Sequence, residues 1–428
     1  MTDLHIPRGQ TATLEHVDGD VKVGHNATLQ AADGKNIVVT GGVYLEGKAY
    51  VNGNLECDSI ESERFFSRQA EANFGGQRAR LDLTGRYVGK LEVNGNLTVH
   101  NQLSVSHSVE VKGNVAAADI DVGGKIDAET ISCSRIRVGG RADIRGTLEA
   151  SSVDVGGKVE AGKAKIGDLN VGGEAEVDGG SITGNIRVGG KFESKSPLEF
   201  GELLVYGKGE LAGGSRGRKV STFGKLEVNG DFTCDVIEAG GVIDIHGDCH
   251  TQHVETGAKL EVSGSLFVSD KLEGVGVTEV QGNIEAAHIK VSGKLTANRI
   301  TAKEEADVSG RVEAKEGLKA VQLVVRSGSR YEGVLIGDRV EVGKSVDLSY
   351  GGWGRWAAGT MARVDDIYAR EVVIGAMSTA ARIFANKVSL EQCSAAWQVM
   401  YTDELKIAPG AGVSEQPRKV DNLPKPPF

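Results

Sequence analysis

A hydrophobic residue, any residue and then glycine recurs about every seventeen residues along most of this chain. The glycines are Gly124, Gly140, Gly157, Gly173, Gly190 and Gly207, then Gly230, Gly247 and Gly264, then Gly293 and Gly310. Spacings in the first run are 16 or 17, and one later spacing stretches to 23. A short fixed period specifies a solenoid, which grows by adding turns, so length alone does not set a domain count.

The residues between glycines say which solenoid. In the stretch from Ile120 to Val138, small or apolar residues fall in pairs two apart: Ile120/Val122, Ile126/Ala128, Ile131/Cys133 and Ile136/Val138. A spacing of two puts both side chains on one side of a strand. Two or three polar or glycine residues separate the pairs, enough for a corner. Three pairs complete a period, so the expected fold is all-β, a parallel β-helix of triangular section with about 17 residues per rung. Apolar residues do not recur at three and four, and 60 glycines oppose long helices. Glycine at the corners is expected to supply positive φ, and the second glycine of each V-G-G corner to let rungs approach closely. With rungs about 4.8 Å apart, residues 20–349 would give roughly eighteen rungs and a rod on the order of 85 Å. Its interior is expected to be a thin aliphatic column without room for rings, since aromatic residues make up only 5% of the chain.

Longer repeats support this. Gly113 opens G-N-V-A-A-A-D-I-D-V-G-G-K-I-D-A-E-T-I and Gly282 opens G-N-I-E-A-A-H-I-K-V-S-G-K-L-T-A-N-R-I, 169 residues apart. G-K-L-E-V-N-G occurs at Gly89 and again at Gly224.

Composition narrows the function. A net charge of −10 argues against nucleic acid as partner. No run of eighteen apolar residues is present, and the start M-T-D-L-H-I-P lacks a basic region and an apolar core, so a cytoplasmic location is expected, with membrane association at most peripheral. Five cysteines without a C-x-x-C fit a reducing compartment.

The expected organisation is a terminal segment or cap at 1–19, the β-helix at 20–348 with inserted loops at 61–86 and 208–223, terminal rungs or an aromatic cap at 349–408, and a tail at 409–428. The first insertion carries Arg64, Arg68, Arg78 and Arg80, and the second Arg216, Arg218 and Lys219, both candidate basic contact loops. Trp353, Trp356, Phe384 and Trp397 are candidates for a cap or a polymer interface, because an open solenoid end exposes core and strand edge. Leu29, Val38 and Val39 are weaker candidates at the amino end. The tail holds five of the seven prolines and should be extended or disordered, unable to continue a ladder. It ends in L-P-K-P-P-F, a possible docking peptide for envelope-associated proteins.

Catalytic chemistry finds little support. His246, Cys249, His250 and His253 are suitable metal-ligand types. The strand register, however, puts Cys249 inside and the histidines outside, so no metal or cofactor is expected. Cys57, Cys133 and Cys234 take similar inward slots. Outward positions mix Lys, Glu, Arg, Asp, Thr and Ser, with no rung set apart as a carboxylate pair would require. A hexapeptide acyltransferase would need a strict six-residue step and a loop histidine. The G-x-G pairs lack the following helix of a nucleotide loop.

The rungs V-N-G-N-L-T-V at Val93 and V-S-G-K-L-T-A at Val291, with the Pro-rich tail, resemble bactofilins over roughly residues 20–345. The resemblance implies a right-handed β-helix and nucleotide-free, non-polar filaments joined end to end through terminal rungs. It also implies roles in cell shape or in positioning envelope proteins. This chain departs from the family in having a far longer core and in a poor version of the apolar start, Met1 to Pro7. The expected function is therefore a non-enzymatic, self-assembling scaffold whose main partner is itself. The alternatives are a monomeric binding rod presenting its Arg-rich loops to a protein or anionic surface and, at lower weight, a polysaccharide-acting β-helix enzyme.

Overall fold

The computed structural model describes residues 3–62, 66–74, 77–85, 89–344 and 361–428. It is a parallel β-solenoid, and no helix occurs among the described residues. The chain divides into two compact units, Met1–Gly207 and Lys208–Phe428. In the first, the register runs Lys125↔Arg141↔Lys158↔Glu174↔Lys191. In the second it runs Lys225↔Val242↔Lys259↔Val277↔Lys294↔Arg311. Each turn therefore adds one rung whose strands hydrogen-bond to the rungs before and after.

The spacing-of-two rule places the core correctly. Ile120, Val122, Ile126, Ala128, Ile131, Ile136 and Val138 are all buried, while Cys133 is half-buried. The column does admit rings, contrary to expectation: Phe192, Phe232 and Tyr331 are at most 1% exposed. Small neighbours in adjacent rungs make the room. Phe192 lies beside Ala175, and Phe232 beside Cys249. Tyr331 lies beside Val312, and its hydroxyl donates to the Val334 carbonyl at 3.0 Å, which satisfies the one polar atom it carries inside.

The glycine beat has two causes: Gly230 and Gly310 adopt the expected positive φ, at +133° and +113°, and the others do not. Gly124, Gly140, Gly157, Gly173 and Gly190 do not adopt positive φ. Instead the double-glycine corners stack backbone against backbone. A Cβ on Gly140 would lie 2.6 Å from the Gly124 carbonyl oxygen, and one on Gly157 closer still to that of Gly140. Those carbonyls accept from the next rung, as Arg141 N to Gly124 O at 3.0 Å and Lys158 N to Gly140 O at 2.9 Å. Glycine is needed there for closeness, not for handedness of the backbone.

A second corner uses side chains. The Asn54 Oδ1 accepts from Asn96 N at 2.8 Å, Asn96 Oδ1 from Asn114 N at 2.9 Å, and Thr130 Oγ1 donates to Asn114 Oδ1 at 2.7 Å. The second unit repeats the device: Asp248 N donates to Asp231 Oδ1, Ser265 N to Asp248 Oδ1, and Asn283 N to Ser265 Oγ, at 2.9, 2.7 and 3.2 Å. Asn114 and Asn283 occupy matching places in the two 169-residue copies.

Several boundaries shift. Residues 4–17, expected to be a terminal segment, form the strands Leu4–Ile6, Thr11–Leu14 and His16–Val17, paired in parallel with the next rung. The first insertion is not an open loop. Its strands Phe66–Phe74 and Gln77–Gly85 form an antiparallel hairpin separate from the solenoid sheet. At its base Gly89 N donates to Ser106 Oγ at 3.0 Å and Ser106 N to Ser62 Oγ at 2.8 Å.

The stretch at 208–223 is no insertion at all. Lys208–Ala212 and Arg216–Thr222 are in register with the following rung, Lys208↔Lys225 and Arg216↔Thr233. The long glycine interval arose because Gly207 and Gly230 belong to different corners. The tail also differs from expectation: Gly412–Val413 and Arg418–Lys419 pair with the strand Ala395–Ile407.

A Gly140→Ala substitution should lower stability by about 1–3 kcal/mol through overpacking, read by chemical denaturation. Gly412→Ala, where an added Cβ meets nothing within 4 Å, should change stability by less than about 0.5 kcal/mol. Equal effects at both sites would refute the stacking account.

Candidate interaction surfaces

One flank of each unit is electrostatically ordered. The strands that follow the G-G or G-K corners present a cation and, two residues on, a carboxylate, both outward. Parallel register stacks these into columns: Lys90, Ser108, Lys125, Arg141 and Lys158 beside Glu92, Glu110, Asp127, Asp143 and Glu160. Cations bridge rungs. Lys90 lies 2.9 Å from Glu92 and 3.0 Å from Glu110, Lys125 3.3 Å from Asp127 and 2.9 Å from Asp143, and Arg141 pairs with Asp143 and, at 2.8 Å, with Glu160. In the second unit Lys259 pairs with Glu261, and Glu279 is shared between Lys259 and Lys294. On this flank the carboxylates keep one column, and the facing column is mostly cationic, with Ser108, Glu174, Val242 and Val277 as exceptions. The recurrent K-x-E of G-K-L-E-V at Gly89 and Gly224 was the available signal.

These contacts hold carboxylates ionised. The Lys195 ammonium hydrogen-bonded to Glu176 keeps that carboxyl below its usual 4.5, as Lys219 does for Glu238 and Lys294 for Glu279. Among the described residues, every carboxyl group with a resolved shift is shifted down.

The histidine–cysteine stretch is split by the wall. Cys249 is fully buried, whereas His250 is exposed and its ring stacks on Phe267 at 4.7 Å. His246 faces Glu227 at 3.5 Å and Asp244 at 3.8 Å. Among the described residues no three His, Cys, Asp or Glu side chains are placed to hold a metal ion. Burial pushes the thiols of Cys57, Cys133 and Cys234 up to about 12 and that of Cys249 further still. Cys393 alone is exposed.

The basic candidates separate. Arg64 lies outside the described residues. Arg68, Arg78 and Arg80 sit on the hairpin opposite Leu83, Asn73 and Glu71. Arg216 and Arg218 are exposed on a regular strand, and Lys219 pairs with Glu238 at 2.7 Å.

The ends carry unfilled strand edges. At the amino end, Leu4–Ile6, Thr11–Leu14 and His16–Val17 pair, among the described residues, on one side only, and Leu4, Ala12, Leu14 and Val17 are half-buried. Leu29, Val38 and Val39 lie one or two rungs further in, on strands paired with a later rung as well, and Leu29 and Val39 are buried.

At the other end, Trp353 and Trp356 lie outside the described residues. Trp397 is 61% exposed, and its carbonyl accepts from Glu415 N at 2.9 Å. Phe384 points outward yet is only 6% exposed, its ring stacked on Tyr368 at 4.6 Å. The tail covers the Ala395–Ile407 strand at Ala395, Ala396, Met400 and Tyr401. Beyond this, Leu405 is half-buried and Ile407 is 48% exposed, although both continue inward columns below Val388 and Leu390. Sequence reasoning missed the first-rung edge, because the glycine beat begins after it, and the tail pairing, because proline content masked two short ladders.

Among the described residues no helix is long and apolar enough to cross a membrane. Compared with family models, with curated proteins and with solved structures, the chain matches none.

Two outcomes follow from the chemistry. At about pH 8, a disulfide reagent should modify Cys393 in the folded protein and the other four cysteines only on unfolding, because neutral buried thiols are poor nucleophiles. Fast reaction of more than one thiol would contradict this. A carboxyl whose folded value is lowered contributes stability above the ordinary range, lost as pH falls through the folded value. Glu176→Gln, Glu238→Gln or Glu279→Gln should therefore narrow the difference in urea midpoint between neutral pH and about pH 3. An unchanged difference would show that these pairs add nothing.

Proposed function

We propose that this chain is a structural, self-assembling scaffold of the bactofilin kind, located in the cytoplasm. Copies join through strand edges at their ends, without nucleotide, into filaments that support cell shape or position envelope proteins. The observation that carries the reading is the unpaired first-rung edge above half-buried Leu4, Ala12, Leu14 and Val17. An unpaired edge beside an unfilled apolar column is a template for another strand.

The flanks support the same reading from the opposite direction. On the flank described, the charged columns pair within the chain, so that face resists sideways adhesion, which favours the ends as adhesive surfaces. The carboxylates also argue against glycoside cleavage. That chemistry needs two carboxyls set together in one groove, whereas the flank carboxylates described here each pair with a lysine or arginine, as Glu92, Asp143 and Glu279 do.

Negative-stain microscopy of the purified protein should show filaments, and Leu14→Asp should shorten or abolish them while leaving the melting temperature within a few degrees. Single particles at the highest soluble concentration, with the tail in place or removed, would sink the filament reading in favour of a monomeric binding rod.

A further inference from the structure

The second unit carries an apolar stripe on its outer surface. One outward column runs Ile336, Tyr368, Phe384 and Met400 in successive rungs. Outward positions normally face water, yet Ile336 is 8% and Phe384 6% exposed. The Phe384 ring is stacked on Tyr368, and the tail is anchored at both ends of this column, at Met400 and at Gly317. It leaves the last strand where Val420 N donates to the Tyr401 carbonyl at 2.9 Å. It ends against Gly317, four rungs back, and the Arg299 guanidinium of the rung before that lies 5.0 Å from the centre of the Phe428 ring. A Cβ on Gly317, which neighbours Arg299 in the ladder, would lie 2.6 Å from that ring. Gly317 thus forms the floor of a socket for Phe428, and its φ of +134° also reserves the place for glycine. Four rung steps span about 19 Å. Eight residues of proline-rich extended chain reach about 25 Å. The segment from Val420 to Phe428 can therefore make the crossing, and its path traverses the rungs that carry the stripe.

The same tail blocks the last edge. It takes up Ala395, Ala396, Met400 and Tyr401 through two-residue ladders, and Gln398 Nε2 donates to Glu415 Oε2 at 2.8 Å. Pro417, between the two ladders, has no N–H to donate onward, so the tail offers a further strand only a short and interrupted edge. The hold is slight beside the ten residue pairs that join the preceding strand Thr379–Leu390 to Ala395–Ile407.

We propose that residues 409–428 are a releasable cap, and that the edge and apolar stripe beneath them form a self-association surface whose partner is a second copy of this chain. The proposal rests on the scaffold reading above. The second copy is favoured as occupant because the covered edge continues directly into the part of the same strand already open at Leu405 and Ile407. A partner rung in parallel register would satisfy both at once.

The test compares the full-length protein with Phe428→Asp and Gly317→Ala, which attack the two sides of one contact. Melting curves check folding, and hydrogen exchange at Val420 and Gly412 reports tail release. Phe428→Asp is expected to speed exchange there and to lower, at least tenfold, the protein concentration at which sedimentation detects oligomers. Excess synthetic peptide of residues 416–428 should reverse the effect. Should Gly317→Ala misfold through its backbone conformation, Phe428→Asp and the peptide still decide the matter. Faster exchange with unchanged assembly would overturn the cap while leaving end-to-end filaments intact. Released tails with no assembly of any form would overturn both.

Discussion

Backbone hydrogen bonds between residues one turn apart are the constraint on which everything else depends. Once Lys125, Arg141 and Lys158 are locked in register, every side chain has a fixed vertical neighbour of the same strand position. An inward residue meets an inward residue, and the core becomes a column of aliphatic groups instead of a globule. An outward residue likewise meets its counterpart, so a substitution repeated in each period becomes a stripe. The double glycines follow from the same bond, because their carbonyls must approach the next rung closely enough to accept from it.

Charge sorting shows what this geometry can do with simple sequence. Like charges stacked at rung spacing repel, and a column of lysines alone would be unfavourable. Placing a carboxylate column two residues away lets each cation sit between two acids, as Lys90 does between Glu92 and Glu110. The wall is neutralised locally although the chain as a whole is acidic. A flank of that kind has little left to offer a partner, and this turns attention to places where the repeat is interrupted or finished.

The inward residues were legible because alternation by two is a local rule, and Ile120 through Val138 needed nothing else. The function of the glycines was only half legible. Close approach was readable from V-G-G, but which corners take positive φ, as Gly230 and Gly310 do, and which do not, as at Gly140, is not shown by sequence spacing. Buried Phe192 and Phe232 escaped for the same reason, since the space they fill is left by Ala175 and Cys249 in another turn. The supposed insertion at 208–223 came from treating Gly207 and Gly230 as the same corner; strand register separates them. Of the candidate sites for a cap or polymer contact, Trp397 is exposed and Phe384 covered. The tail, which the repeat pattern excluded from view, returns to the rung of Gly317.

That segment has a mechanical consequence. A solenoid is a one-dimensional lattice with nearest-neighbour coupling, so its terminal turns ordinarily peel away one at a time. By fastening Phe428 beside Arg299 after leaving the last strand at Tyr401, the chain ties turns that are not neighbours. While Phe428 is seated, the final rungs of this unit are coupled beyond nearest neighbours, a cooperativity that the repeat itself cannot provide and that is lost when the tail lets go.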